Sequence, residues 1–213
     1  MSRNGKLRNT KLRKQLNHPI IDADGHWLEF GPLVRERMRK IGGDLAVEGF
    51  SSRPKLIDQQ LLMSVAERRR RRVGQQGFWG LPTKNTRDRA TAIMPQLLYE
   101  RMDELGFDFS VMYPTAGLGL HTIAEDEMRR VTCRAFNTFS ADYFRDFSDR
   151  LTPVAVIPMH TPEEAIEELE HVKYQLGLKV VMLGSMIRRQ IPALAEEHPK
   201  AASVAPWYDV LGL

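Results

Sequence analysis

Apolar residues in this chain occur in two patterns, short continuous runs and longer stretches where they recur every three or four positions. The short runs predict four β-strands, near residues 19–26, 107–113, 151–158 and 178–183. The longer stretches predict helices over 95–105, 125–147 and 161–177, and irregular helix over 31–74 with breaks at Gly42-Gly43 and Pro54. Strands that alternate with helices across short connections predict parallel βα units.

Two of the helices have apolar stripes that predict which face is buried. In helix 125–147 the stripe consists of Met128, Val131, Ala135, Phe139 and Tyr143. In helix 161–177 the predicted buried face consists of Ile166, Leu169, Val172 and Leu176. Thr161, Pro162 and Glu164 predict a capping box at the start of this second helix.

Composition narrows the class of protein. The chain has 213 residues, 42% hydrophobic and 27% charged, which is typical of one globular domain. No apolar stretch approaches the roughly 18 residues of a membrane-spanning helix, and the basic tail 1–18 has no apolar segment typical of a secretory signal. Cys133 is the only cysteine, which excludes an internal disulfide and favours a cytoplasmic location.

The net charge is +4, and a run of five arginines from Arg68 to Arg72 makes up much of the local excess. Such a run can bind nucleic acid or can form the solvated face of a helix. No interleaved aromatic residues or known nucleic-acid motif accompany it. We therefore expect a solvated face and no nucleic-acid partner.

The end of the first strand carries the candidate chemistry. Asp22, Asp24 and His26 are spaced two apart, so strand alternation predicts that they share one face. A carboxylate and an imidazole in this arrangement can bind one divalent cation. The alternative is an ordinary strand-to-loop cap, in which Asp24 accepts turn amides.

Two stretches resemble the amidohydrolase-related family, in the branch of aminocarboxymuconate semialdehyde decarboxylase and the aromatic-acid decarboxylases. The first stretch is 21–29, Ile-Asp-Ala-Asp-Gly-His-Trp-Leu-Glu. The second comprises 134–137, 149–159, 164–169 and Leu176-Gly177, and it is similar to the third βα unit of that family. The resemblance covers about residues 19–183. It implies a (β/α)8 TIM-type barrel, one divalent metal ion and a small carboxylated, often aromatic substrate.

The resemblance also implies roles for particular residues. Asp24 stands where the first metal-binding histidine of the family usually lies, and His26 stands at the second. The carboxylate leaves zinc, manganese or magnesium open. The family's other ligands and its proton-handling aspartate follow strands five, six and eight, so the catalytic residues are expected beyond Leu213. Residues 19–213 would then form the N-terminal half of a barrel, truncated after about four βα units, with an insertion at about 31–94.

Further residues are weaker candidates. Trp27, Tyr113, Thr115 and His160 are predicted to line the substrate pocket, although His160 could instead be a solvated loop residue. His121 lies in a glycine-rich loop that we interpret as a flexible rim element. Asn137 is expected to make a structural hydrogen bond, and Cys133 is not expected to be a nucleophile. Arg188 and Arg189 could bind a substrate carboxylate or lie at the surface.

These observations predict a metal-dependent decarboxylase or hydrolase. The alternative is a non-catalytic truncated pseudo-enzyme or interaction module. Four strands that do not close leave an unpaired edge at Val180–Leu183 and uncovered apolar surface. We therefore expect the chain alone to be inactive, to bind metal weakly and to form homo-oligomers.

Overall fold

The computed structural model describes residues 13–52, 63–71, 85–184 and 187. The strands are β1 (Ile21–Trp27), β2 (Phe109–Pro114), β3 (Leu151–Val156) and β4 (Val180–Met182). The helices are α1 (Gly31–Ser52), α2 (Val65–Arg71), α3 (Thr86–Ile93), α4 (Pro95–Leu105), α5 (Asp126–Phe144) and α6 (Pro162–Glu170). Short 3₁₀ turns cover Gly117–Thr122 and Arg145–Phe147, and a π turn continues α6 over His171–Gln175.

The four strands form one parallel sheet in the order β1-β2-β3-β4. Each strand begins and ends within two residues of its predicted boundary, so the four predicted strands are confirmed. A helix follows each of the first three strands before the next parallel strand begins. The chain therefore has the βα architecture that the sequence predicted.

The core lies between the sheet and helices α1 and α5. It contains Trp27 and Met112 from the strands, Met38 and Phe50 from α1, and Phe136 from α5, each at most 2% exposed. Helix α1 bends at Gly43, whose φ of 69° confirms the break predicted there. Helix α1 falls within the predicted insertion and forms part of this core.

Helix α5 buries the face that its sequence predicts, whereas α6 does not. The predicted stripe of α5 is buried or half-buried along its length. In α6, however, Ile166 is 55% exposed and Leu169 is 37% exposed, while Glu164 and Glu168 are buried. The predicted buried face of α6 was therefore wrong at these two positions.

Ion pairs with α5 explain this orientation of α6. The Arg129 guanidinium donates to both carboxylate oxygens of Glu164, at 3.2 and 2.8 Å, and Arg134 Nε donates to Glu168 at 2.6 Å. Charged partners on α5 thus attract the acidic face of α6. Thr161 caps α6 as predicted, but the Glu164 carboxylate accepts the backbone N–H of His160, the residue before the cap. The predicted capping box, in which Glu164 would accept the backbone N–H of Thr161, is not formed because Glu164 pairs with Arg129 instead.

Asn137 joins α5 to β3 and α6. Its side-chain amide donates to Val156 O at 2.9 Å and to Glu168 Oε1 at 2.7 Å, and its oxygen accepts from Val156 N at 2.8 Å. All of these groups are buried, where an unpaired polar atom would be costly. The predicted structural role of Asn137 is confirmed.

The described part of the arginine run forms the short helix α2. No residue of α2 is buried, and Arg71 pairs with Glu67 at 2.7 Å. This is the solvated helix face that we expected, although nucleic-acid binding itself stays untested. Among the helices of the described residues, none has the length and apolar character to cross a membrane.

Candidate functional site

A register shift in β1 decides which acidic side chains accompany His26. Asp22 pairs with Ser110 and Gly25 pairs with Met112, so β1 has one more residue than β2 across this interval. Asp22 therefore shares the face of Ser110, whose hydroxyl lies 3.3 Å from its Oδ2, while His26 shares the face of Tyr113. Ser110 and Tyr113 are three apart and point to opposite faces. The prediction that Asp22 faces the same way as His26 was wrong, because spacing alone did not show the extra residue.

Asp24 and His26 remain together at the carboxyl end of β1. Asp24 Oδ1 lies 3.8 Å from His26 Nε2, with the two side chains 90% and 22% exposed. Bonds from zinc to oxygen or nitrogen are about 2.0–2.2 Å long, so two ligand atoms of one ion lie no more than about 4.2 Å apart. The two atoms are thus close enough to share a single divalent cation. In a barrel enzyme this end of the strands is the catalytic end.

The end of β2 adds an aromatic ring and a hydroxyl to this site. The Tyr113 ring lies 5.9 Å from the His26 ring, tilted by 31°. Thr115 Oγ1 donates to Trp27 O at 2.7 Å and lies 3.5 Å from His26 Nδ1. The structure therefore brings Tyr113 and Thr115, both predicted pocket residues, beside His26.

Glu29 is a residue of this region to which the sequence assigned no role. Its carboxylate accepts the backbone N–H groups of Ala116 and Gly117, each at 2.8 Å, and so ties the loop after β1 to the 3₁₀ turn after β2. Burial raises the pKa of the Glu29 carboxyl, and these N–H groups lower it in part. The glycine-rich segment is thus a 3₁₀ turn anchored by Glu29, with Leu120 fully buried, and its flexibility stays a prediction.

Trp27 does not line the open site. Its side chain is 2% exposed and packs among the rings of Phe136, Phe139, Tyr143 and Phe144. Side chains alternate along a strand, so the residue after His26 faces the helices. The prediction of Trp27 as a pocket residue was therefore wrong, and Trp27 belongs to the core.

The other candidates have different positions. His160 follows β3, and its Nδ1 lies 3.7 Å from Glu164 Oε1 with only 12% of the side chain exposed, so it is not the solvated residue of the alternative interpretation. His121 packs against the chain after β4, where a Cβ at Gly184 would meet its ring at 2.7 Å. Burial raises the pKa of the Cys133 thiol, which agrees with an inert side chain. Arg188 and Arg189 lie outside the described residues.

A cavity of about 320 Å³ lies at the opposite ends of the strands, lined by residues that include Phe109, Thr152 and Lys179. These residues begin β2 and β3 or precede β4. Barrel enzymes bind substrate at the other end, so this cavity is not the candidate site. Within the described ranges no three His, Cys, Asp or Glu side chains converge to hold a metal ion. Asp24 and His26 are two side chains, fewer than the three protein ligands of a typical catalytic zinc site.

No protein-family model and no curated protein matches the chain, but solved structures do. Manganese-bound 5-carboxyvanillate decarboxylase from Novosphingobium aromaticivorans is 14% identical with a TM-score of 0.50, and the match covers 79% of this chain and 42% of that one. 2,6-Dihydroxybenzoate decarboxylase from Rhizobium is 14% identical with a TM-score of 0.45, and the match covers 81% of this chain and 40% of that one. 5-Carboxyvanillate decarboxylase from Sphingomonas paucimobilis is 13% identical with a TM-score of 0.46, and the match covers 90% of this chain and 58% of that one.

The first of these structures confirms the expected fold. The chain has the architecture of part of a (β/α) barrel, with four parallel strands. It spans less than two thirds of the length of each of these three proteins. The low identity limits the likeness to the fold, which by itself shows neither an activity nor a substrate.

Proposed function

We propose that the chain provides the first two metal ligands of a metal-dependent carboxy-lyase that acts on a small carboxylated aromatic compound. The observation that carries the proposal is the 3.8 Å separation of Asp24 Oδ1 and His26 Nε2 at the carboxyl end of β1. A carboxylate with an imidazole suits a divalent ion such as manganese, zinc or magnesium. The likeness to a manganese-bound decarboxylase supports this choice.

The residues beside the two ligands fit an aromatic substrate. Tyr113 offers a ring on the same face as His26, and aromatic rings stack on one another at centroid distances of about 4.5–7 Å. A bound divalent ion would polarise a substrate oxygen. Asp24 would contribute negative charge to hold such an ion, and Thr115 lies beside the His26 ring.

Decarboxylation is preferred to hydrolysis because the fold match with a TM-score of 0.50 is to a decarboxylase. A hydrolase remains the alternative within the same scaffold. A non-catalytic interaction module is the alternative of another class. The cytoplasmic location, homo-oligomerisation and the inactivity of the chain on its own stay predictions.

Activity tests this proposal. The protein, with any coding sequence that follows codon 213 included, is assayed for CO₂ release from ortho-hydroxybenzoates in the presence of Mn²⁺. We expect Asp24→Ala and His26→Ala to abolish turnover, and Asp44→Ala to leave it unchanged, because Asp44 is equally exposed but pairs with Arg39 away from the site. Metal-dependent turnover that survives both substitutions would exclude these ligands. In a parallel assay with aromatic esters and amides, metal-dependent hydrolysis together with no CO₂ release from the benzoates would favour the hydrolase.

A further inference from the structure

The hydroxyl of Thr115 lies beside one ring nitrogen of His26 and bears on which nitrogen carries the proton. A threonine hydroxyl has one proton, and Thr115 donates it to Trp27 O at 2.7 Å. Toward His26 Nδ1, at 3.5 Å, the same oxygen can then act only as an acceptor. The contact therefore favours a proton on Nδ1, and in the neutral ring that tautomer has its lone pair on Nε2.

That lone pair lies beside Asp24. Nε2 is the nitrogen that approaches Asp24 Oδ1 at 3.8 Å. In this tautomer a lone pair and a carboxylate oxygen lie near each other, an arrangement that a cation between them would stabilise. Metal-binding histidines commonly donate their other ring N–H to a polar partner, which fixes the orientation of the ring.

Glu29 holds Thr115 in place from the other side. Its two carboxylate oxygens accept the N–H groups of Ala116 and Gly117, the residues that follow Thr115 directly. The turn has little room to shift, because a Cβ at Gly117 would lie 2.5 Å from Phe136 Cζ and 2.8 Å from Pro114 Cβ. A charged acceptor with two short hydrogen bonds is a strong anchor for such a turn.

We propose that Glu29 is a positioning residue: it anchors the turn that places the Thr115 hydroxyl against His26 Nδ1, and so fixes the His26 tautomer that directs Nε2 toward Asp24. Glu29 acts through Thr115 and touches neither metal nor substrate. The effect on the tautomer is a property of the chain without metal. The effect on metal affinity rests on the proposed function.

The tautomer is measured by NMR on the metal-free chain with ¹⁵N-labelled histidine. The chain has six histidines, so His26→Gln identifies the His26 signals by their loss. Spectra are recorded over a series of rising pH, and the neutral ring is recognised from the ¹⁵N shifts themselves. We expect wild-type His26 to show one protonated nitrogen, Nδ1. In Glu29→Gln and Thr115→Val we expect averaged ring signals from a mixture of tautomers.

Two controls separate positioning from general stability. Thr115→Ser keeps the hydroxyl and should restore the wild-type spectrum. Glu125 also accepts two backbone N–H groups, at the start of α5, and Glu125→Gln should leave the His26 signals unchanged. An unaltered Nδ1–H tautomer in folded Glu29→Gln, or a change of equal size in Glu125→Gln, would overturn the proposal.

Mn²⁺ affinity provides the second measurement. Loss of a residue that orients a metal-binding histidine weakens binding by about 10- to 100-fold, and we expect the lower end for Glu29→Gln because one hydrogen bond can persist. If wild type binds no Mn²⁺ but the tautomer responds as expected, the proposed function fails and the positioning role stands. If Mn²⁺ binds at Asp24 and His26 while the tautomer ignores Glu29, the positioning role alone fails.

Discussion

Two regions of this molecule pair acidic with basic side chains, and the pairs differ in their burial and in the number of hydrogen bonds that they form. At the interface of α5 and α6, Arg129 and Glu164 are 1% and 5% exposed and form two hydrogen bonds with each other. At the end of β1, Asp24 is 90% exposed and lies 3.8 Å from His26. The first pair is buried and saturated, which indicates a structural role. The second pair is accessible to solvent, and its two side chains approach each other at the end of β1, as side chains that bind one metal ion would.

Protonation of the buried pair agrees with this distinction. Burial lowers the pKa of the Arg129 guanidinium, but hydrogen bonds and charge attraction to Glu164 and Asp126 together outweigh burial, and the pKa is raised. Arg129 is therefore charged in the folded chain. Removing the charge of Glu164 would leave a buried cation short of compensation.

The largest expected effect is on this buried pair. Glu164→Gln should reduce the free energy of unfolding by about 3 kcal/mol, because breaking a buried ion pair leaves an uncompensated charge. The matched control is Glu167→Gln, because Glu167 also pairs with an arginine, Arg134, but is itself 64% exposed. This substitution should reduce the free energy of unfolding by only about 0–1 kcal/mol. Urea unfolding of both variants measures the difference. Equal losses would remove the contrast between buried and exposed pairs.

A smaller effect is expected on the other face of α6. Ile166→Ser should change stability by no more than about 0.5 kcal/mol, because Ile166 is 55% exposed. Val172→Ala in the following π turn should cost about 1–2 kcal/mol, since Val172 is 1% exposed. The same urea experiment ranks the two. If Ile166→Ser proved the more costly, the apolar stripe predicted from the sequence would describe α6 better than its ion pairs do.

The smallest expected effect concerns Glu29 and its dependence on pH. Burial raises its pKa in the folded chain, so its contribution to stability is fully present below the unfolded pKa and is lost as pH rises through the folded pKa. The stability of wild type relative to Glu29→Gln should therefore fall as pH rises through that window, above the ordinary glutamate value. Unfolding both proteins across a pH series measures this. A difference that is flat, or that rises with pH, would show that the carboxyl is not held in this way.

The helices show where sequence patterns suffice. Periodicity predicted the buried stripe of α5 because its partners, such as Phe50 of α1, are largely apolar. It failed for Ile166 and Leu169 because the face of α6 that is buried is chosen by Arg129 and Arg134. Those partners are more than thirty residues away in the chain, and no local pattern indicates them.

The site shows a similar division. Asp24 and His26 were found from their spacing at the end of a strand, and the structure brings them together. The position of Asp22 was missed because a one-residue shift in pairing leaves no mark in the spacing of polar residues. Glu29 belongs to the stretch that resembles the family, but its role depends on backbone N–H groups of another loop. Side-chain patterns do not reveal backbone donors.

Metal binding by Asp24 and His26 is the central claim, and electron paramagnetic resonance of Mn²⁺ tests it most directly. Free Mn²⁺ gives a sharp signal that weakens on binding, so titration of the 213-residue chain measures the bound fraction even when affinity is low. We predict one site per chain that is lost in Asp24→Ala and in His26→Ala and is retained in Asp44→Ala. Binding of equal stoichiometry and affinity in all four proteins, or no binding by wild type, would contradict the account.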